Sequence, residues 1–229
     1  MTAPTPRSAV PTPSFQNTNT GSGSTVNFTV TLMSHQAGDY LLVFIALKNA
    51  TSMAIPSGWS AVREDATGGV WIGIYQKDAL AASSSETNPV FVITSAGNGT
   101  GVAHPYSIPM TGNSILRSGG TSTTNSNAAA DPPSRTSSGG TQDHLWFAVA
   151  AVNGNSAISA GPSGYSNFTA SGTSSNVTLA TAWRQVNASV TEDPGAFTNT
   201  SARWLANTLA VWDTVAAATH IPTNMLLGI

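Results

Sequence analysis

The chain has 229 residues, of which 8% are charged and 40% hydrophobic, with a net charge of -2 and no cysteine. An ordinary globular protein carries about 25% charged residues, so this one can bury a core but presents a polar, nearly uncharged surface. The balance excludes a phosphate-neutralising nucleic-acid binder and an electrostatically held membrane-surface protein, and the missing thiols exclude disulfides and thiolate metal sites. Ser, Thr and Asn make up about a third of the chain beside 21 Gly and 13 Pro, which favours turns and strands over helices.

Residues 1–13 hold Pro4, Pro6, Pro11 and Pro13 and one cation, Arg7. There is no apolar stretch of signal-peptide type, so no export signal is expected. The prolines predict an extended, polyproline-like arm. Thr25 to Leu32 alternates polar and apolar, which places Val26, Phe28, Val30 and Leu32 on one face of a strand. Leu41 to Leu47 is apolar on both faces, as in the central strand of a sandwich. The longest apolar run, Tyr40 to Leu47, is far short of the ~20 residues that span a bilayer. Val70 to Tyr75, Pro89 to Thr94 and Val102 to Ile108 read as further strands. Turns are expected at Ala66-Thr67-Gly68-Gly69 and Ala96-Gly97-Asn98-Gly99-Thr100. Gly73 inside its strand marks a bulge or a close backbone approach. Ala79 to Ala82 has room for a single helical turn.

The pattern then repeats. Gly38 to Asn49 has a counterpart in Gln142 to Asn153, each an Asp followed by an apolar run ending in Asn. Pro56-Ser57-Gly58-Trp59 matches Pro162-Ser163-Gly164-Tyr165, and Val70 to Gln76 matches Val177 to Arg184. Phe91 and Phe197 fall at similar places. Ordered matches at offsets of about 104–108 residues indicate two copies of one module. The predicted fold is all-β: two tandem antiparallel β-sandwich modules of jelly-roll or immunoglobulin-like type behind an N-terminal arm. The organisation is an arm (1–13), module one (14–112), a Ser/Thr/Gly-rich linker and module two (113–216), and a tail (217–229). Gly119 to Gly140 is too polar to fold alone and reads as a strap or long loop. The apolar tail contains Ile221, Met225, Leu226, Leu227 and Ile229; it fits a partner contact or a last strand on its own domain.

No catalytic, cofactor or metal constellation stands out. His35, His104, His144 and His220 are scattered without metal-ligand spacing. Glu64-Asp65 and Glu192-Asp193 are adjacent pairs, and neighbours on a strand point to opposite faces, which is a poor acid/base geometry. Asp39 and Asp143 occupy equivalent places before the central strand and read as turn caps ahead of calcium ligands. The Asn-x-Ser/Thr sequons at Asn27, Asn49, Asn98, Asn167, Asn176, Asn187 and Asn199 follow from composition and imply no glycosylation. Trp59 and Tyr165 read as core anchors under their sheets, the alternative being aromatics that stack on sugar.

An apolar strand, then Pro-Ser-Gly-Trp, then a Trp/Tyr strand resembles a β-sandwich module found repeatedly in structural proteins of tailed bacteriophages. Gly38 to Asn49, Pro56 to Trp59 and Val70 to Lys77 carry it; Asp143 to Asn153, Pro162 to Tyr165 and Val177 to Gln185 carry a weaker copy with Tyr in place of Trp. The resemblance implies a non-enzymatic virion protein without cofactor, assembled in host cytoplasm and exposed on the particle. It fits a capsid decoration or cement protein that binds the major capsid protein, or tail proteins, and that forms homo-oligomers. The alternative is a tail or fibre module that binds a receptor or host glycan. No nucleic-acid or membrane partner is expected. The contacts expected to hold a partner are Pro4, Pro6, Arg7, Pro11 and Pro13 in the arm and Ile221, Met225, Leu226, Leu227 and Ile229 in the tail.

Overall fold

The computed structural model describes residues 3–17, 23–77, 86–110, 114–119, 123–154, 158–172 and 176–214. The expected turn at Ala79 to Ala82, the tail residues from Ile221 and His220 lie outside them. All regular structure in the described residues is β, in antiparallel pairs.

The first half carries β1 (Ser14–Asn17), β2 (Thr25–Thr29), β3 (Asp39–Ala54), β4 (Ser60–Thr67), β5 (Val70–Lys77) and β6 (Val90–Pro109). They form one sheet in the order β1-β6-β3-β5-β4, with β2 also pairing β6. Strands β3 and β6 are long enough to serve two layers. Their central stretches pair from Asp39↔Pro109 to Lys48↔Thr100; beyond two register shifts, Ala50 to Ala54 pairs with Val92 to Ser95. The Gly-rich segment at residues 96–100, expected as a turn, is instead the bend inside β6. Glycine lets the strand turn the corner without a Cβ in the way. The expected turn at Gly68-Gly69 is a two-residue hairpin between β4 and β5, with both glycines at positive φ (48° and 83°), the geometry that favours Gly in such loops.

The second half carries β7 (Ser114–Gly119), β8 (Thr123–Asn125), β9 (Ala129–Ala130), β10 (Arg135–Thr136), β11 (Gln142–Asn153), β12 (Ile158–Ala160), β13 (Ser166–Gly172), β14 (Val177–Ser189), β15 (Thr191–Glu192), β16 (Phe197–Asn199) and β17 (Trp204–Thr214). Its main sheet runs β13-β14-β11-β17-β7, with β8 also on β17; β12-β16-β9 and β10-β15 form two small sheets. The Ser/Thr/Gly-rich stretch read as a linker therefore contributes β8, β9 and β10. Backbone pairing with β17, β16 and β15 replaces the apolar burial its side chains cannot provide.

Two separate tandem sandwiches would each close over a private core. Here the central sheets of the two halves pack on each other. One continuous core takes ten buried residues from each half, among them Phe44, Ile72 and Tyr106 opposite Phe147, Leu179 and Leu209. Rings cross the boundary: Phe44 and Tyr106 lie 5.2 Å and 5.0 Å from Phe147. The other face of each sheet packs on its own outer layer. In the first half Phe28, Trp59 and Phe91 cover Leu41, Val43, Ile45 and Leu47; in the second Ile158, Phe197 and Trp204 cover Ala148, Ala150 and Val152. This is why the central strands are apolar on both faces.

The halves meet through reciprocal strand contacts, the pattern a two-fold arrangement gives. Strand β3 faces β11, β6 lies over β14, and β17 lies over β5. The pairing registers fix the equivalence: Leu47↔Gly101 corresponds to Val152↔Trp204, and Leu41↔Lys77 to Trp146↔Arg184. Asn49, at φ 55°, corresponds to Gly154, at φ 86°; their N–H groups donate to the matching carbonyls of Gly69 and Asn176, each at 2.8 Å. Asp39 therefore corresponds to His144, not to Asp143 as expected from the sequence. The sequence match of Asp39 with Asp143 and of Asn49 with Asn153 is one residue away from this register, and a one-residue slip exchanges the faces of a strand.

Candidate functional site

The N-terminal segment and the residues that receive it form the most elaborate polar site of the described structure. Asp39 opens β3 and is 1% exposed. Arg7 approaches it with two parallel donors, Nε–H to Oδ2 at 2.5 Å and Nη2–H to Oδ1 at 2.7 Å. The Ser107 hydroxyl and the Gln36 N–H also donate to Oδ2, at 2.7 Å and 2.8 Å. Burial alone would push the Asp39 carboxyl up; Arg7, Ser107 and Gln36 together hold it below the usual carboxylate range. The Arg7 N–H donates to the Ser107 carbonyl at 2.8 Å, so the arm lies along β6 on the side where β7 lies along β17.

The arm also reaches the second half. Trp183 Nε1–H donates to the Ala9 carbonyl at 3.0 Å. The Gln185 amide donates to the Ala3 and Pro4 carbonyls at 2.7 Å and 3.1 Å and to the Thr5 hydroxyl at 2.7 Å. A shallow open cleft lined by Ala3, Thr5, Gln185, Val186 and Asn187 runs beside this contact. Of the residues expected to hold a partner, Pro4, Pro6 and Pro11 are buried, Arg7 is held in the ion pair, and Pro13 is half-buried. The arm thus lies on its own chain, bridging the halves. Ile221, Met225, Leu226, Leu227 and Ile229 fall outside the described residues.

A second polar group sits in the shared core. His104 and Tyr106 project from β6 and both meet Thr181 of β14: His104 Nδ1 at 2.9 Å and the Tyr106 hydroxyl at 2.8 Å from Oγ1. His104 is fully buried, its Nε2 has no hydrogen-bond partner, and burial lowers its pKa to about 3. The imidazole is therefore neutral at physiological pH.

A third arrangement recurs in both halves. The Pro-Ser-Gly-aromatic turns close with Trp59 and Tyr165 N–H donating to Pro56 and Pro162 carbonyls, each at 3.1 Å. Gly58 and Gly164 adopt φ of 80° and 78°. A Cβ there would meet Lys77 Nζ at 3.3 Å and Arg184 Nη1 at 2.9 Å. Each cation is paired with a glutamate, Lys77 with Glu86 at 2.6 Å and Arg184 with Glu192. The Arg184 guanidinium also stacks over the Tyr165 ring at 5.1 Å, and the Tyr165 hydroxyl donates to Glu192 at 3.1 Å. Trp59 packs edge-on against Phe91 at 6.2 Å and is buried. Lys77, Glu86 and Arg184 were not singled out in the sequence, and Glu192 only as half of an adjacent acidic pair; the signal was their near-equal spacing behind the repeated turn.

The adjacent acidic pairs are separately engaged. Glu64 accepts the Tyr75 hydroxyl at 2.6 Å and Asp65 pairs with Arg63. Asp143 accepts the Ala188 N–H at 2.9 Å. Among the described residues no group of three or more His, Asp or Glu is placed to hold a metal ion. No family model, curated protein or solved structure matches the chain.

Proposed function

We propose that the chain is a non-enzymatic structural protein of a virion, a decoration or cement module that binds the capsid lattice. The reading rests on the resemblance of the repeated strand–turn–strand element to phage structural modules. The observation that carries its attachment side is the position of the exposed apolar side chains. Among the described residues the large exposed ones are Val10, Phe15 and Val90. Val10 and Phe15 belong to the N-terminal segment that leads into β1, a strand with one neighbour, β6, in the sheet. An edge strand offers unpaired N–H and C=O groups to an extended segment of another protein, and Phe15 adds an apolar anchor beside them. The fibre or glycan-binding alternative requires an exposed aromatic face, and Trp59 is committed to the core.

With so few charges, attachment through this edge depends on apolar burial and backbone pairing. Retention of the protein on particles is therefore expected to survive about 1 M salt, where Coulombic contacts are screened within ~3 Å. Phe15→Asp is expected to abolish retention while leaving the folded protein intact. Quantitative mass spectrometry of purified particles supplies the location: hundreds of copies for a capsid-lattice protein, a few to dozens for a tail component. Absence from particles, or salt-stripping of the intact protein, contradicts the proposal.

A further inference from the structure

The face shared by the halves is built like the interface of a symmetric dimer, in which each residue near the axis meets its own counterpart. Lys48 of β3 and Asn153 of β11 are such counterparts, and they meet: Lys48 Nζ donates to Asn153 Oδ1. Burial lowers the Lys48 pKa, so the ammonium is partly desolvated at this contact. In a pair of first halves the same position would bring two lysine ammonium groups together. The second cross-face contact has the same asymmetry. His104 and Tyr106 meet Thr181, but the first-half counterpart of Thr181 is Ile74, and Ile74 is a core residue of this face. A pair of first halves would therefore set a buried imidazole and a buried phenol against an aliphatic side chain. In a pair of second halves the counterparts are uncharged: Asn153 against Asn153, and Thr181 against Asn207, the counterpart of His104.

We propose that this face is a heterotypic association surface. Its partner is the second half of this chain, its own or that of a second copy, and the Lys48–Asn153 and His104/Tyr106–Thr181 pairs exclude pairing between first halves. Selectivity of this kind comes from placing repulsive or unsatisfied groups in the wrong complex, not only from good contacts in the right one. The surface is independent of the virion reading, since it follows from register and side-chain identity alone.

The test uses the full chain carrying a protease site at residues 111–113, cleaved after folding. The two fragments are expected to stay together as a 1:1 complex on gel filtration at about 1 M salt, because the face is apolar. Isotope-labelled and unlabelled nicked proteins are then mixed, unfolded in urea, refolded and read by native mass spectrometry. First halves are expected to re-pair only with second halves, labelled and unlabelled mixing freely. Lys48→Asn together with Ile74→Thr, which gives the first half the second-half residues, is expected to raise first–first pairs to at least a tenth of the complexes; Lys48→Asn alone raises them to a smaller share. Fragments that separate on cleavage, fail to re-form the mixed complex, or re-pair as first halves at the statistical share overturn the proposal. So does a pair of variants that both remain wholly heterotypic.

Discussion

In the first half, the outer face of the central strand is Leu41, Val43, Ile45 and Leu47, and the neighbouring strand opposite Leu47 carries Gly101. In the second half the matching face is Trp146, Ala148, Ala150 and Val152, and the residue opposite Val152 is Trp204. The bulk has moved from one strand to the next. A Cβ on Gly101 would come within 2.7 Å of the Leu47 Cδ2, so the first half has no room where the second places an indole. Gly73 and Tyr75 show the same exchange: the Tyr75 ring lies over Gly73, and their counterparts are Ala180 and Ala182. Interiors reward total filling at native density more than any particular assignment of volume, so one backbone frame holds two different outer cores. The inner faces, which must fit each other, stay mostly aliphatic and aromatic in both, with His104 and Thr181 as a polar contact between them.

The ends of the central strands differ in chemistry. Asp39 is held by Arg7 and Ser107. At the matching place His144 lies between Trp146 and Trp212, with ring centroids 5.3 Å and 5.2 Å away, and its Nε2 meets the Ser137 hydroxyl at 2.7 Å. The first half thus uses the arm to satisfy a buried charge; the second uses an aromatic enclosure around a buried ring.

The largest expected effect lies at the shared face. Phe147→Ala removes the ring that touches Phe44 and Tyr106 and is expected to cost about 3–5 kcal/mol. The loss should appear equally in fluorine-labelled Trp59 and Trp71 of the first half and Trp146 and Trp204 of the second when unfolding is followed in urea by NMR. Arg7→Ala leaves the buried Asp39 without its main partner and is expected to cost about 1.5–3 kcal/mol. Arg63→Ala, which removes a more exposed pair with Asp65, should cost about 0–1 kcal/mol in the same denaturation measurement. Gly101→Ala is expected to destabilise by about 1–3 kcal/mol through overpacking, and adding Leu47→Val should recover part of that loss.

A pH-dependent effect separates His104 from its counterpart Asn207. The folded pKa of His104 lies near 3, below the unfolded value of about 6.5. The unfolded state therefore binds the proton first. The associated stability is fully present above about pH 6.5 and is lost as pH falls toward 3, at up to ~1.4 kcal/mol per pH unit. The lowered Asp39 carboxyl acts in the same direction at the acid end. His104→Asn should flatten the pH dependence of the urea midpoint between pH 6.5 and 4; an unchanged slope would remove His104 from the account.

The strands and the repeat were legible because they rest on local pattern: alternation in Thr25 to Leu32, the two-sided apolar run at Leu41 to Leu47, and the paired Pro-Ser-Gly-aromatic turns. The shared core was not, because an apolar face looks the same in sequence whether it meets its own module or the other. The Asp39–His144 equivalence was hidden because both apolar runs start after an Asp and end in an Asn, Asp39/Asn49 and Asp143/Asn153, which aligns them one residue away from the pairing register. The arm was read from its prolines, but its docking depends on the pairing of Arg7 with Asp39 across 32 residues and on Gln185 and Trp183 far along the chain. No local signal marks such pairs.

With one core shared between them, the two halves are expected to fold as one unit. Differential scanning calorimetry of the whole chain tests it most directly, by comparing the calorimetric enthalpy with the van't Hoff enthalpy. A shared core gives a single transition with the two enthalpies equal. Two transitions, or a calorimetric enthalpy about twice the van't Hoff value, would mean that the halves melt as independent modules and would contradict it.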